Sequence, residues 1–143
     1  MPRTVRFFVG VAIAALATLL VLEFAQSISG RRVPRLVERI LSLEFVPASL
    51  RNAECRSGAT TDVIATCVFE ISQSDFPVLL RGRAFNKEVV SGTNHDFAAY
   101  AIGQAFSASA RYLVQPAEFK HGGYVSLVAN AERTRVQVEI YQE

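Results

Sequence analysis

The sequence predicts an α+β protein. An N-terminal apolar helix, transmembrane or signal, precedes a small antiparallel sheet of about five strands with two or three short helices on one face. Three observations predict it. Residues 7–22 form one uncharged apolar run. From about residue 48 the apolar spacing changes from helical to alternating. Short stretches with helix-start signals interrupt the alternating runs. The organisation that follows is a signal anchor or signal peptide at residues 1–30, an amphipathic connector helix at 31–47 and a single α+β domain at 48–143.

The first segment opens with Arg3 and Arg6, and its run from Phe7 to Leu22 holds 16 residues without a charge before Glu23. Such a helix is about 24 Å long, against a bilayer core of about 30 Å. Extending to Ala25 gives 19 residues, with Glu23 placed to snorkel at the interface. The length favours an uncleaved anchor holding the membrane through residues 7–25. The small residues Ala25 and Ser27 also fit a cleavage site before Ile28, which would release a secreted protein. Arg3 and Arg6 favour a cytoplasmic N-terminus, whereas Arg31, Arg32 and Arg35 pull the other way, so charge alone sets no orientation. Gly10, Ala14 and Thr18 share one helix face at four-residue spacing. That pattern lets two membrane helices approach closely, although apolar segments often carry it without pairing.

The connector "RRVPRLVERILSLEF" has Pro34 in a first-turn position and Val33, Leu36, Val37, Ile40 and Leu41 at helical spacing. A short amphipathic helix at about 34–43 follows. Its apolar stripe suits either a membrane surface or a domain core, and the core is the commoner destination.

In "TDVIATCVFEIS", Val63, Ala65, Cys67, Phe69 and Ile71 share one strand face, and "ASLRNAEC" is its hairpin partner across the turn-rich "RSGATTD". "SQSDFPVLLRG" reads as a short helix with Ser74 as cap, Pro77 in its first turn and Gly82 at its stop. A short strand at Glu88–Ser91 lies in a stretch that is otherwise loop. Thr93 and Asp96 resemble a capping box that starts a helix at 95–104. "FSASARYLVQ" alternates with Phe106, Ala108, Ala110, Tyr112 and Val114 on one face. "YVSLVANAERTRVQVEIYQE" is a second hairpin, in which Val136, Val138 and Ile140 face the core and Arg135, Gln137, Glu139 and Tyr141 face solvent.

Chemistry is sparse. The net charge of +2 falls to +1 without residues 1–30, which speaks against a nucleic-acid partner. His95, Asp96 and His121 could be assembled into a zinc site only on paper, since no ligand-pair spacing supports it. The serines of "SAS" at 107–109 sit in a strand pattern without a nucleophile elbow. Asp62, Asp75, Glu88 and Asp96 each fit a turn, cap or surface role. No phosphate loop or cofactor motif is present. Tyr141, Arg135, Phe119 and Lys120 are the residues that suit a binding surface.

The two cysteines carry the most information. With Thr61 as the hairpin centre, Cys55 stands opposite Cys67, within disulfide range. Their spacing excludes a Cys-x-x-Cys redox site, and a two-cysteine metal site lacks further ligands. The remaining alternative is a pair of buried free thiols in a cytosolic domain. A Cys55–Cys67 bond places the domain in an oxidising compartment. The expectation is a non-catalytic, membrane-tethered domain outside the cytoplasm, periplasmic or extracellular, that binds or assembles with a protein partner. The alternatives are a secreted, disulfide-stapled binding or inhibitor protein, and an enzyme whose site has no local motif.

Overall fold

The computed structural model describes Thr18 and residues 32–143. The apolar segment, Gly10 and Ala14 included and Thr18 excepted, lies outside the described residues. Among the described residues no helix is long and apolar enough to cross a membrane. Residues Val33–Glu143 form one compact unit.

Helix α1 occupies residues 32–41. Its stripe is buried, with Val37, Ile40 and Leu41 at most 1% exposed in the main core. The connector therefore packs on the sheet. The helix ends in a Schellman arrangement: Ser42 adopts φ 54°, Leu43 N–H donates to Glu38 O at 2.9 Å, and Ser42 N–H donates to Arg39 O at 3.4 Å. Arg83 adds a further cap by donating from Nε to Ile40 O at 2.8 Å. A guanidinium suits this negative end of the helix dipole.

Six strands follow, one more than expected: β1 (Arg51–Ala59), β2 (Val63–Glu70), β3 (Asn86–Val89), β4 (Ala110–Val114), β5 (Gly123–Ala129) and β6 (Arg135–Gln142). All pairings are antiparallel, in the order β1-β2-β6-β5-β4-β3. The sheet is open, and the last strand in sequence lies between β2 and β5. The short helix α2 (Phe76–Leu79) sits between β2 and β3. Asp75 rather than Ser74 is its N-cap residue, without a side-chain cap bond. The Ser74 hydroxyl instead lies 3.1 Å from that of Ser72.

One sheet face is apolar and covered by the two helices. Ala65, Cys67 and Phe69 from β2, Val136 and Val138 from β6, and Val125, Leu127 and Ala129 from β5 meet Val37, Ile40 and Leu41 from α1 and Phe76 and Leu79 from α2. The Phe76 and Tyr112 rings pack with centroids 5.8 Å apart. Gly82 lies against the end of α1, where a Cβ would fall on the carbonyl oxygens of Leu41 and Ser42.

The opposite face departs from expectation. It is covered by the irregular chain from Val90 to Ser109, which holds a 3-10 turn at Asn94–Phe97 in place of a helix at 95–104. The Thr93–Asp96 capping box is present. However, the chain leaves the turn in an extended conformation at Ala98, so no further helical turn forms. The strand at 106–115 is also shorter than its alternation suggests, covering Ala110–Val114. Phe106 and Ala108 join Val68 and Val128 in a second core on this face, while Ala110, Tyr112 and Val114 pack toward the helices. The chain crosses between faces near Ser109, whose N–H donates to Ala129 O at 2.9 Å. This covering layer buries strand residues that read as solvated. Gln137 and Glu139 are each 1% exposed.

Candidate functional site

Three features carry functional information: the disulfide, a polar cluster beneath the covering segment, and the free strand edge at β3. The disulfide joins Cys55 and Cys67, which are partners in the β1–β2 register with Cα atoms 4.1 Å apart. Cys67 is fully buried in the main core and Cys55 packs against it. No free cysteine remains. Such a bond marks an oxidising, extracytoplasmic location.

The polar cluster centres on Glu139. Its Oε2 accepts from the Thr66 hydroxyl at 2.8 Å and from the Ala99 N–H at 2.7 Å, and its Oε1 accepts from the Tyr124 hydroxyl at 2.7 Å. Alternation on β6 puts the carboxylate on this face, and the register sets Thr66 and Ser126 on either side. Burial pushes the Tyr124 hydroxyl up to about 12, and the adjacent Glu139 acceptor and charge act in the same direction. Tyr124 therefore stays protonated as the donor near neutral pH, which suits holding a carboxylate and not transferring a proton. One strand step away, Asn94 Nδ2 donates to Gln137 Oε1 at 2.8 Å, Gln137 Nε2 returns a bond to Asn94 O at 2.8 Å, and Phe106 N–H donates to Asn94 Oδ1 at 2.8 Å. Together these bonds fasten the covering segment to the sheet. Sequence reasoning missed the cluster, because alternating polar residues look alike whether water or protein satisfies them.

At the rim, the Tyr124 and Tyr141 rings lie 5.7 Å apart, and the Arg56 guanidinium stands 4.7 Å from the Tyr100 ring. The residues singled out from sequence do not converge. His95 Nε2 lies 3.0 Å from Ile102 O, while His121 is exposed in the loop before β5. Among the described residues no cluster of three metal-ligating groups forms. Asp96 accepts from Thr93 N–H at 2.8 Å, and this bond, then the Thr93 hydroxyl, holds its carboxyl below the usual range. Asp75 accepts from the Ser49 hydroxyl at 2.6 Å, and Glu88 pairs with Arg111 at 3.4 Å. Asp62 lies in the β1–β2 turn, and Ser107 makes a lone bridge with Thr93. Arg135 donates to Gln104 Oε1 at 2.7 Å and stacks over Phe106, at the other end of β6 from Tyr141. Phe119 packs against the helix-side core and Lys120 is exposed. These four do not form one surface.

The third feature is the free edge. All four residues of β3 are exposed, Val89 by 87%. Beside them a groove of about 520 Å³ is lined by Ala84, Asn86, Lys87, Glu88, Leu113, Val114 and Gln115. The sequence offered only the hint of a short strand here. No protein-family model, curated protein or solved structure matches the chain.

Proposed function

We propose that the chain is a non-catalytic domain outside the cytoplasm, held to a membrane by residues 7–25, that binds or assembles with a protein partner. The Cys55–Cys67 bond is the observation that carries the reading, because it needs an oxidising compartment. The 16-residue run from Phe7 supplies the tether. The buried acid of the domain, Glu139, spends its lone pairs on fixed donors of the fold, which supports a binding role over acid–base chemistry.

A second reading has its own support. The Ala25–Ser27 stretch fits a signal cleavage site, and cleavage would yield a secreted form of the same domain beginning at Ile28. Intact mass of the protein from its native host, with and without reduction, separates the two. The tethered reading expects full-length mass, resistance to carbonate extraction and a gain of two hydrogens on reduction. A mature N-terminus at Ile28 selects the secreted form, and no mass change on reduction overturns the extracytoplasmic assignment.

A further inference from the structure

Strand β3 ends the sheet, and its outer side meets nothing among the described residues. Val90 N–H donates to Ser109 O at 3.2 Å, which turns the Val90 N–H toward the β4 side. Antiparallel pairs alternate, so the main-chain groups of Asn86 and Glu88 also turn toward β4. Those of Lys87 and Val89 then point outward, away from every described strand. The other edge is handled differently. There β1 carries a register shift between Arg51 and Glu54, with Asn52 at φ 51°. Such an irregularity twists that end of the edge away from further pairing.

We infer that the β3 edge takes up an extended segment of a partner protein as a seventh antiparallel strand. This rests on the binding-domain reading above and names the mode of binding. The charges select the occupant. A second copy related by a two-fold axis must pair residues of the same sheet face. Both registers that overlap three of the four β3 residues then set Lys87 against Lys87, or Glu88 against Glu88, of the copy. Like charges directly opposite are destabilising. A different chain can instead put an acidic residue opposite Lys87, a basic residue opposite Glu88 and an apolar residue opposite Val89. Read from its N-terminus, that segment runs apolar, basic, acidic. Lys87 forms no ion pair among the described residues, and the Glu88–Arg111 pair is half exposed at 3.4 Å, so both can engage a new partner. Main-chain bonds to Lys87 and Val89 would supply affinity, while the groove beside Asn86, Lys87 and Leu113 would receive a flanking side chain.

The test uses the full chain in its native membranes with the photo-crosslinking residue benzoylphenylalanine at Val89. A control places it at Phe45, a large apolar residue 65% exposed outside the sheet. Adducts are mapped to peptide segments by mass spectrometry. The expected result is an adduct from position 89 on a segment with the apolar–basic–acidic order, reduced at least tenfold by Lys87→Glu. Because the Val89 N–H faces outward, Val89→Pro is compatible with an edge strand. Placed in the chain that carries wild-type residues elsewhere, it should preserve cooperative unfolding and remove co-purification of that same partner. Adducts from position 45 alone would leave the binding-domain reading standing and overturn the β3 assignment. An adduct with a second copy, or with a segment lacking the charge order, also overturns it. No adduct from either position overturns both.

Discussion

Glu139 is the residue on which the covering layer depends. Truncation to Ala leaves the Thr66 hydroxyl, the Tyr124 hydroxyl and the Ala99 N–H without their acceptor. Glu139→Ala should lower unfolding stability by about 3 kcal/mol or more, and Glu139→Gln by roughly half that, measured in urea. Tyr124 makes the same cluster sensitive to base. Its folded pKa is raised from 10.0 to about 12, so its contribution is complete below pH 10 and is lost as pH rises to 12. Two units correspond to about 2.7 kcal/mol. Solvent screening of this partly exposed ring reduces the expected loss to about 1 kcal/mol. Tyr141 shifts in the same direction, so Tyr124→Phe should shallow the alkaline slope of urea midpoints without abolishing it. At Cys55 and Cys67, 12 residues apart, reduction or a double Ser substitution should cost about 2–3 kcal/mol in the chain-entropy model.

Among the elements, α1 offers the sharpest tests. Ser42 occupies a left-handed position that glycine fills without strain. Ser42→Gly should therefore raise stability by roughly 0.5–1 kcal/mol, read as a rise in the melting midpoint. Gly82→Ala should do the reverse, by about 2–3 kcal/mol, because the added methyl meets the backbone carbonyls that end α1. These elements also mark what was legible in sequence. The stripe of Val37, Ile40 and Leu41 announces its helix because burial on one side imposes a period. The same holds for the Cys67 strand, whose turn centre at Thr61 fixes the register and with it the disulfide. The covering segment has no such period. Asn94 is held in its buried place by paired hydrogen bonds with Gln137 and with Phe106, partners separated from it by 43 and 12 residues. Phe106 and Tyr112 share a parity but pack on opposite faces, since the chain crosses the sheet plane between them. Position in space, and no local pattern, decides both. The β3 edge was equally hidden, because Asn-Lys-Glu-Val reads as surface whether its outer side is empty or occupied.

Across the whole molecule, the strand order predicts a gradient of protection. Amides in β2, β6 and β5 should exchange most slowly. Those of Lys87 and Val89 should exchange at near-unprotected rates without a partner, by hydrogen-exchange mass spectrometry or NMR. The position of β6 has a consequence in time. Within the sheet it alone joins the β1–β2 hairpin to the β5–β4–β3 half, and 64 residues separate the end of β2 at Glu70 from the start of β6 at Arg135. At about 5–20 residues per second, roughly 3–13 s pass between the synthesis of one and the other. Through that interval the β1–β2 hairpin waits with its inner border open, because β5 is complete only at Ala129, just before β6 begins. Both cysteines lie in the first hairpin, so their bond can close before the halves meet. In a pulse-chase, oxidation of Cys55 and Cys67 should precede protease resistance, and a chain stopped before Arg135 should carry the bond yet remain digestible. The disulfide then acts as an early latch that holds the first hairpin in register until the final strand closes the sheet.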